Sequence, residues 1–199
     1  MNGLMFLDLD GTVRKTKSGD KFINDPHDQE LITGVWEVCR YYEDKGWYLI
    51  GITNQGGVEK RFKSLENCIE EQRYTLKMLP YLRAIYFCPN FSGDICYRVD
   101  WNMSTDCYKI TNPWLSETHS FRKPGIGMVK IALKQFNVED ETPKWLIGDS
   151  ETDKQCANLA GLRFIWADVW RTRRDKGLVE VNLRGRELPL VDLKAFLLT

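Results

Sequence analysis

Short apolar runs alternate with longer amphipathic segments along most of the chain. The apolar runs predict five strands, at 4–9, 47–53, 84–87, 144–148 and 162–167. The amphipathic segments carry apolar residues at helical spacing and predict helices at 34–46, 64–79, 123–136 and 150–161. Strands that alternate with helices in this way are typical of an α/β fold, a doubly wound parallel sheet flanked by helices.

Residues 89–121 interrupt this rhythm. The segment contains aromatic residues, cysteines and a histidine without clear periodicity, which predicts a loop or a small insertion. No repeat, low-complexity tract or linker rich in proline and serine indicates a second domain. We therefore expect one domain over residues 1–199.

Composition narrows the class of protein. The 199 residues are 43% hydrophobic, and 28 basic residues balance 28 acidic ones, so no overall field attracts nucleic acid or membranes. No apolar run reaches the roughly 20 residues that cross a bilayer. We expect a cytoplasmic protein without a membrane partner, and the sequence indicates no protein partner. The six cysteines should then be reduced, with Cys39, Cys68 and Cys156 in the core.

Polar residues cluster where the predicted strands end. The first strand runs into "DLDGT", the second into "TNQGG" and the fourth into "GDSETD", while "RKP" opens the third helix. Ligands of a parallel sheet bind at the carboxyl ends of the strands, so these loops should meet at one edge. The residues brought there are Asp8, Asp10, Thr12, Thr53, Asn54, Lys123, Asp149 and Asp153.

These residue types suit phosphoryl transfer. Clustered carboxylates need cations, and as hard oxygen ligands they suit Mg²⁺ bound together with a substrate phosphate. Thr53 and Lys123 supply a hydroxyl and a positive charge for the oxygens of a transferring phosphoryl group. One aspartate can attack phosphorus, and a second can protonate the leaving oxygen and later deprotonate water. This chemistry explains the pair Asp8 and Asp10.

The four segments "DLDGT", "ITNQ", "RKP" and "IGDSETD" stand in the order of the four motifs of the haloacid dehalogenase (HAD) superfamily of phosphohydrolases. The chain resembles that superfamily over most of its length. The resemblance implies a Rossmann-like sheet and an aspartyl-phosphate intermediate on Asp8, with Asp10 as the general acid/base. It also implies that Thr53 and Lys123 bind phosphate.

The same resemblance implies a Mg²⁺ site formed by Asp8, Asp149 and the main-chain carbonyl of Asp10, with Asp153 contacting Lys123 or the metal. Two alternatives stay open. Each motif alone is also typical of an ordinary turn or helix cap. A pseudoenzyme can use such a fold to bind phosphate, although it would normally have lost Asp8 or Asp10, and both are present.

The segments that follow the first and the third predicted strands indicate whether a cap domain covers the site. Superfamily members often close their sites with a cap domain after the first or the third strand, and both segments are too short for one here. The absence of a large cap, together with "TNQGG" and "RKP", is similar to subfamily III. That subfamily includes heptose-bisphosphate and histidinol-phosphate phosphatases and the polynucleotide 3'-phosphatases.

The stretch after the nucleophile loop favours a nucleic-acid substrate. "TKSG" followed by a phenylalanine resembles the polynucleotide 3'-phosphatases, and basic residues there can hold flanking phosphates, namely Arg14 and Lys17 with Lys15 and Lys21. Residues 163–186 are also basic, which is typical both of a surface that binds nucleic acid and of an ordinary solvated face. Tryptophans available to stack on bases are Trp101, Trp114, Trp166 and Trp170, the last two also expected in the core. Without a GxxxxGK[ST] loop there is no kinase half, and the main prediction is removal of 3'-phosphate from polynucleotide ends.

The segment "IYFCPN" favours a different relative. It is similar to the segment that opens a zinc site in heptose-bisphosphate phosphatases, but Asn90 replaces the histidine, and His119 and Phe121 replace the later cysteines. A rearranged Zn²⁺ tetrahedron can be drawn from Cys88, Cys96, Cys107 and His119, although their irregular spacing favours free thiols. A small sugar phosphate or bisphosphate, or histidinol phosphate, is therefore the alternative substrate.

Overall fold

A computed structural model describes residues 1–102, 105–109 and 119–172, and two short strands at 178–179 and 191–192. The described strands are β1 (Gly3–Leu7), β2 (Arg14–Lys15), β3 (Glu30–Leu31), β4 (Trp47–Asn54), β5 (Leu82–Cys88), β6 (Ile95–Asp100), β7 (Thr105–Lys109), β8 (Lys144–Gly148), β9 (Arg163–Trp166), β10 (Leu178–Val179) and β11 (Val191–Asp192). The described helices are α1 (Val35–Asp44), α2 (Leu65–Met78), α3 (Gly127–Gln135), α4 (Glu151–Leu159) and α5 (Ala167–Thr172).

Seven strands form one sheet in the order β7-β6-β5-β4-β1-β8-β9. From β5 to β9 all neighbours are parallel, and β6 and β7 continue the sheet in antiparallel orientation beyond β5. The pairs β2–β3 and β10–β11 are short antiparallel ribbons outside this sheet. The predicted doubly wound α/β fold is confirmed, and each of the five predicted strands is present.

The central strand β1 is buried on both sides because helices cover both faces of the sheet. Met5 and Leu7 point into the half of the core that contains residues of α1, α2 and α5. Leu4 and Phe6 point into the half that contains residues of α3 and α4. This alternation follows from the two-residue period of a strand. It explains why β1 reads as a continuous apolar run, as buried parallel strands do.

The helices differ from the prediction in two places. α3 begins at Gly127 instead of 123, because a turn precedes it in which Gly127 N–H donates to the carbonyl of Ser120. Lys123 therefore lies in a turn at the sheet edge. α5 is not predicted because it follows β9 without a loop, so its apolar residues merge with the strand. None of the described helices combines the length and apolar character needed to cross a bilayer.

The sequence pattern predicts no strand between 89 and 121, whereas β6 and β7 form a hairpin there. The strands are half-buried at the sheet edge, and the Arg98 side chain, ion-paired with Asp100 and Asp106, masks the alternation of apolar residues. Trp114 lies outside the described residues. The basic residues of 163–186 that follow α5, at 173, 174, 176, 184 and 186, also lie outside the described residues.

Replacing Leu49 by alanine tests the buried sheet. Leu49 in β4 is fully buried, and we expect Leu49→Ala to lower the free energy of unfolding by about 2–5 kcal/mol because a cavity remains. Leu159 is 49% exposed, so Leu159→Ala should change it by less than about 0.5 kcal/mol. Urea unfolding measures both variants, and equal losses would contradict the core described here.

Candidate active site

The carboxyl ends of the parallel strands form a pocket, as the sequence predicts. It is lined by Asp8, Asp10, Thr53, Asn54, Lys123, Asp149, Ser150, Thr152 and Asp153. Residues from all four motif segments therefore meet in one place, although more than 100 positions separate the first from the last. Thr12 lies behind this lining, where it contacts Asp8.

Asp8 follows β1 directly and is nearly enclosed, with 7% of its surface exposed. Its Oδ1 accepts a hydrogen bond from Lys123 Nζ at 2.6 Å, and its Oδ2 accepts one from Thr12 Oγ1 at 3.0 Å. Burial raises the pKa of Asp8 to about 7, and the nearby charge of Asp153 adds to this while Lys123 opposes it. Burial thus disfavours the charged form of Asp8, and positive charge placed beside it favours that form.

Lys123 is held between two carboxylates. Its Nζ donates to Asp8 Oδ1 and Asp153 Oδ1, both at 2.6 Å, and to the carbonyl of Ile52 at 3.1 Å. The Asn54 side-chain amide exchanges two hydrogen bonds with the Lys123 main chain, at 2.9 and 3.0 Å. Burial opposes the charge of Lys123, but the two carboxylates outweigh it and raise the Lys123 pKa. Lys123 is therefore a fixed cation, and Asn54 fixes its backbone.

Asp10 is more accessible than Asp8, with 45% of its side chain exposed. Its Oδ1 accepts from Arg14 Nε at 2.8 Å, and its Oδ2 accepts from Gln55 Nε2 at 2.7 Å. Thr53 Oγ1 lies 3.5 Å from the same Oδ2. Burial favours the neutral acid, but the charge and hydrogen bond of Arg14 outweigh it and hold the pKa of Asp10 below its ordinary value.

Asp8, Asp149 and Asp153 each place a carboxylate oxygen within 4.8 Å of the others. Asp153 is already engaged, since its Oδ1 accepts from Lys123 and its Oδ2 from Ser150 in the capping box of α4. Burial and the charge of Asp153 raise the pKa of Asp149. Three carboxylates against one ammonium leave negative charge that a divalent cation at Asp8 and Asp149 would neutralise.

Gly11 allows this acidic group to form. Its φ is +87°, which favours glycine, and a Cβ on it would lie 2.0 Å from Asp149 Oδ2. The glycine of "DLDGT" is thus required both by the turn and by the close approach of Asp149.

A family model described as polynucleotide kinase 3 phosphatase matches residues 3–168. The chain belongs to the polynucleotide kinase 3 phosphatase family. It is a phosphatase of the HAD superfamily, as the order of its motifs predicts. The matched range contains every residue that lines the pocket.

Curated proteins similar to this chain include heptose-bisphosphate phosphatases. D-glycero-beta-D-manno-heptose-1,7-bisphosphate 7-phosphatase of Haemophilus ducreyi is 26% identical over 168 residues, covering 80% of this chain and 79% of the relative. A probable heptose-1,7-bisphosphate 7-phosphatase of Thermoplasma acidophilum is 27% identical over 168 residues, covering 80% and 86%. The crystal structure of D,D-heptose 1.7-bisphosphate phosphatase from B. bronchiseptica, complexed with magnesium and phosphate, shares the fold. Its TM-score is 0.57 at 21% identity, covering 81% of this chain and 78% of that one.

Two basic residues predicted to contact substrate do not line the pocket. Arg14 is completely buried against Asp10 and Glu71, so it cannot hold a flanking phosphate at the surface. Lys17 is exposed, but its Nζ donates to the His27 carbonyl and it does not line the pocket. Arg171, counted in the predicted basic face, donates to the carbonyls of Gly11 and Thr12.

The three described tryptophans that were predicted to stack on bases or to lie in the core differ in their exposure. Trp170 is fully buried, as expected of a core residue, and Trp166 is half-buried against Phe164. Trp101 is 46% exposed, although its indole N–H donates to the Leu82 carbonyl.

The four residues considered for zinc do not come together. Cys96 pairs with Tyr108 and Cys107 pairs with Tyr97 across the hairpin, so the two thiols lie on opposite faces. Cys88 and Cys96 are buried in the core, whereas Cys107 and His119 are exposed. Within the described ranges, the carboxylates of the pocket form the one group of three or more ligand residues close enough to share a metal.

Two side chains of the site have no assigned role in the sequence analysis. Gln55 belongs to the segment "TNQGG", but only its hydrogen bond in the structure identifies it as a partner of Asp10. Glu71 in α2 is fully buried and pairs with Arg14. The buried side of α2 is mostly polar, with Glu71, Gln72 and Thr75 beside Cys68 and Leu76, so no apolar stripe in the sequence indicates that Glu71 is buried.

Replacing Gly11 by alanine tests the acidic group. Gly161 also has a positive φ, +67°, but nothing lies within 4 Å of its Cβ position, so Gly161→Ala controls for backbone strain. We expect Gly161→Ala to lose about 1–2 kcal/mol of stability from backbone strain, and Gly11→Ala to lose at least as much because its Cβ also meets Asp149. Urea unfolding measures both losses. Only Gly11→Ala should displace Asp149 and reduce Mg²⁺-dependent hydrolysis of p-nitrophenyl phosphate, by about 100-fold. Equal activities would show that the contact is unimportant.

Proposed function

We propose that the chain is a Mg²⁺-dependent phosphomonoesterase that forms an aspartyl-phosphate on Asp8. The observation that carries this proposal is the position of Asp8, held by Lys123 and Thr12 at the end of a buried strand, with Asp10 two residues away. A nucleophile needs such fixed geometry, and a neighbouring acid/base allows its acyl phosphate to form and to be hydrolysed.

The residues present fit a magnesium ion. Asp8 and Asp149 offer carboxylate oxygens in a group whose negative charge exceeds the charge of Lys123. The HAD resemblance adds the main-chain carbonyl of Asp10. Bound there, Mg²⁺ would lower the negative charge between nucleophile and phosphate and so favour the ionised form of Asp8.

In the first step an oxygen of Asp8 attacks phosphorus, and the bond from phosphorus to the leaving oxygen breaks. Thr53 lines the pocket and donates to the phosphoryl oxygens as charge develops on them. The three N–H groups of Lys123 are already bonded within the protein, so Lys123 stabilises those oxygens by its positive charge. Asp10 gives its proton to the leaving oxygen, so that an alcohol departs. Asp153 keeps Lys123 in place during this step.

In the second step Asp10, now ionised, removes a proton from water, which attacks the phosphorus of the aspartyl-phosphate. The bond between Asp8 and phosphorus breaks, and inorganic phosphate leaves. The lowered pKa that Arg14 gives Asp10 favours the ionised state that this second step requires, and it opposes the protonated state that the first step requires.

We infer that the substrate is a small phosphorylated sugar, such as a heptose bisphosphate. Relatives with that activity in their names match about four fifths of the chain. The burial of Arg14 also removes one of the four basic side chains assigned to a nucleic-acid strand. A polynucleotide 3'-phosphate is the second candidate, favoured by the family description and by the exposed Lys17, Lys21 and Phe22.

A substrate panel tests both the reaction and the substrate. With Mg²⁺, we expect turnover of heptose 1,7-bisphosphate to exceed that of histidinol phosphate and of a 3'-phosphorylated oligonucleotide by about 10-fold or more in kcat/KM. Asp8→Asn should abolish all turnover, since it removes the nucleophile. Full activity of Asp8→Asn would contradict the mechanism, and preference for the oligonucleotide would contradict the sugar substrate alone.

Metal binding can be measured without activity. Mg²⁺ should raise the Tm of the wild type by the linkage expected for a ligand of the folded state, and Asp149→Asn should lose most of this shift. Asp44→Asn provides a matched control, because Asp44 is an exposed acid paired with Arg40 in α1. The same Mg²⁺ shift in all three proteins would place the metal elsewhere.

A further inference from the structure

Arg14 is a buried cation that the proposed chemistry does not by itself require. Its side chain is fully buried, and burying a charge is unfavourable unless partners compensate it. Arg14 Nε donates to Asp10 Oδ1 at 2.8 Å, and its Nη2 donates to Glu71 Oε1 at 2.5 Å. One guanidinium therefore joins the active-site loop to α2.

The far side of the guanidinium is equally constrained. Nη1 donates to Gln29 Oε1 at 3.1 Å and contacts the Thr75 hydroxyl. Glu71 is fixed in turn by Lys63, whose Nζ also donates to the Ile23 carbonyl at 2.9 Å. The planar fork of arginine thus has partners on each side and cannot turn without breaking several of them.

The local backbone explains why position 14 reaches position 10. The N–H groups of Thr12, Val13 and Arg14 all point to the Leu9 carbonyl, and Gly11 N–H donates to the Arg14 carbonyl. This tight turn folds the chain back directly after the nucleophile. Arg14 consequently lies beside Asp10, although the same turn sends its side chain inward instead of to the surface.

We propose that Arg14, clamped by Glu71, is a positioning residue that orients Asp10 for proton transfer to the leaving oxygen. Arg14 occupies Oδ1 and, having no acceptor, excludes a proton from that contact. Oδ2 accepts from Gln55 Nε2 at 2.7 Å and lies beside Thr53, which lines the pocket. Its remaining lone pair is therefore left to carry the transferred proton. This inference rests on the proposed function, in which Asp10 is the general acid.

A purely structural role for Arg14 would affect all substrates alike. A role in proton transfer would affect only substrates whose leaving oxygen needs a proton. A primary alkyl phosphate needs a proton on its leaving oxygen, whereas 2,4-dinitrophenyl phosphate does not. The kcat/KM values report the steps up to the aspartyl-phosphate. For Arg14→Met we expect a loss of about 10-fold or more with the alkyl ester and less than about 3-fold with the dinitrophenyl ester.

Arg40→Met is the matched control, since Arg40 is an exposed arginine of α1 paired with Asp44, and it should match the wild type on both esters. Equal losses on the two esters in folded Arg14→Met, or no loss, would overturn the proposal. If Arg14→Met does not fold, Glu71→Gln decides by the same criterion, because it keeps the guanidinium but weakens its clamp. Asp10→Asn must show the selective loss as well; if it does not, the acid role of Asp10 in the proposed function fails first.

Discussion

The contact between the Lys123 ammonium and the carboxylates of Asp8 and Asp153 is the interaction on which the site depends. These three side chains are nearly enclosed, and none of them would tolerate burial alone. β1 supplies Asp8, the turn before α3 supplies Lys123, and the first turn of α4 supplies Asp153. The parallel sheet makes this meeting possible because it ends its central strands at one edge.

The nucleophile loop has two groups of buried charge, one for each of its aspartates. Asp8 is bonded to Lys123, which Asp153 of α4 holds from one half of the molecule. Asp10 is bonded to Arg14, which Glu71 of α2 holds from the other half. Since α2 and α4 contribute to opposite halves of the core, the two acids depend on opposite faces of the sheet. Their separate surroundings account for opposite shifts of their pKa values.

Local patterns predicted the parallel strands, four helices and the residues that gather at the sheet edge. These features depend on periodicity and on order along the chain, which a sequence displays directly. Arg14 shows what was missed: near a basic stretch it looked like a surface cation, because the acid that buries it, Glu71, lies 57 positions away. The hairpin was missed because β7 is the edge strand and the neighbouring β6 carries Arg98 and Asp100, so that the alternation of apolar residues is weak in both strands.

The hydrogen bonds from Arg171 to the carbonyls of Gly11 and Thr12 span about four fifths of the sequence. Translation therefore produces the nucleophile loop about 160 residues before the arginine of α5 that braces it. Until that arginine is made, the loop lacks these two hydrogen bonds. Its two aspartates are made early, but the surroundings that define them are completed late.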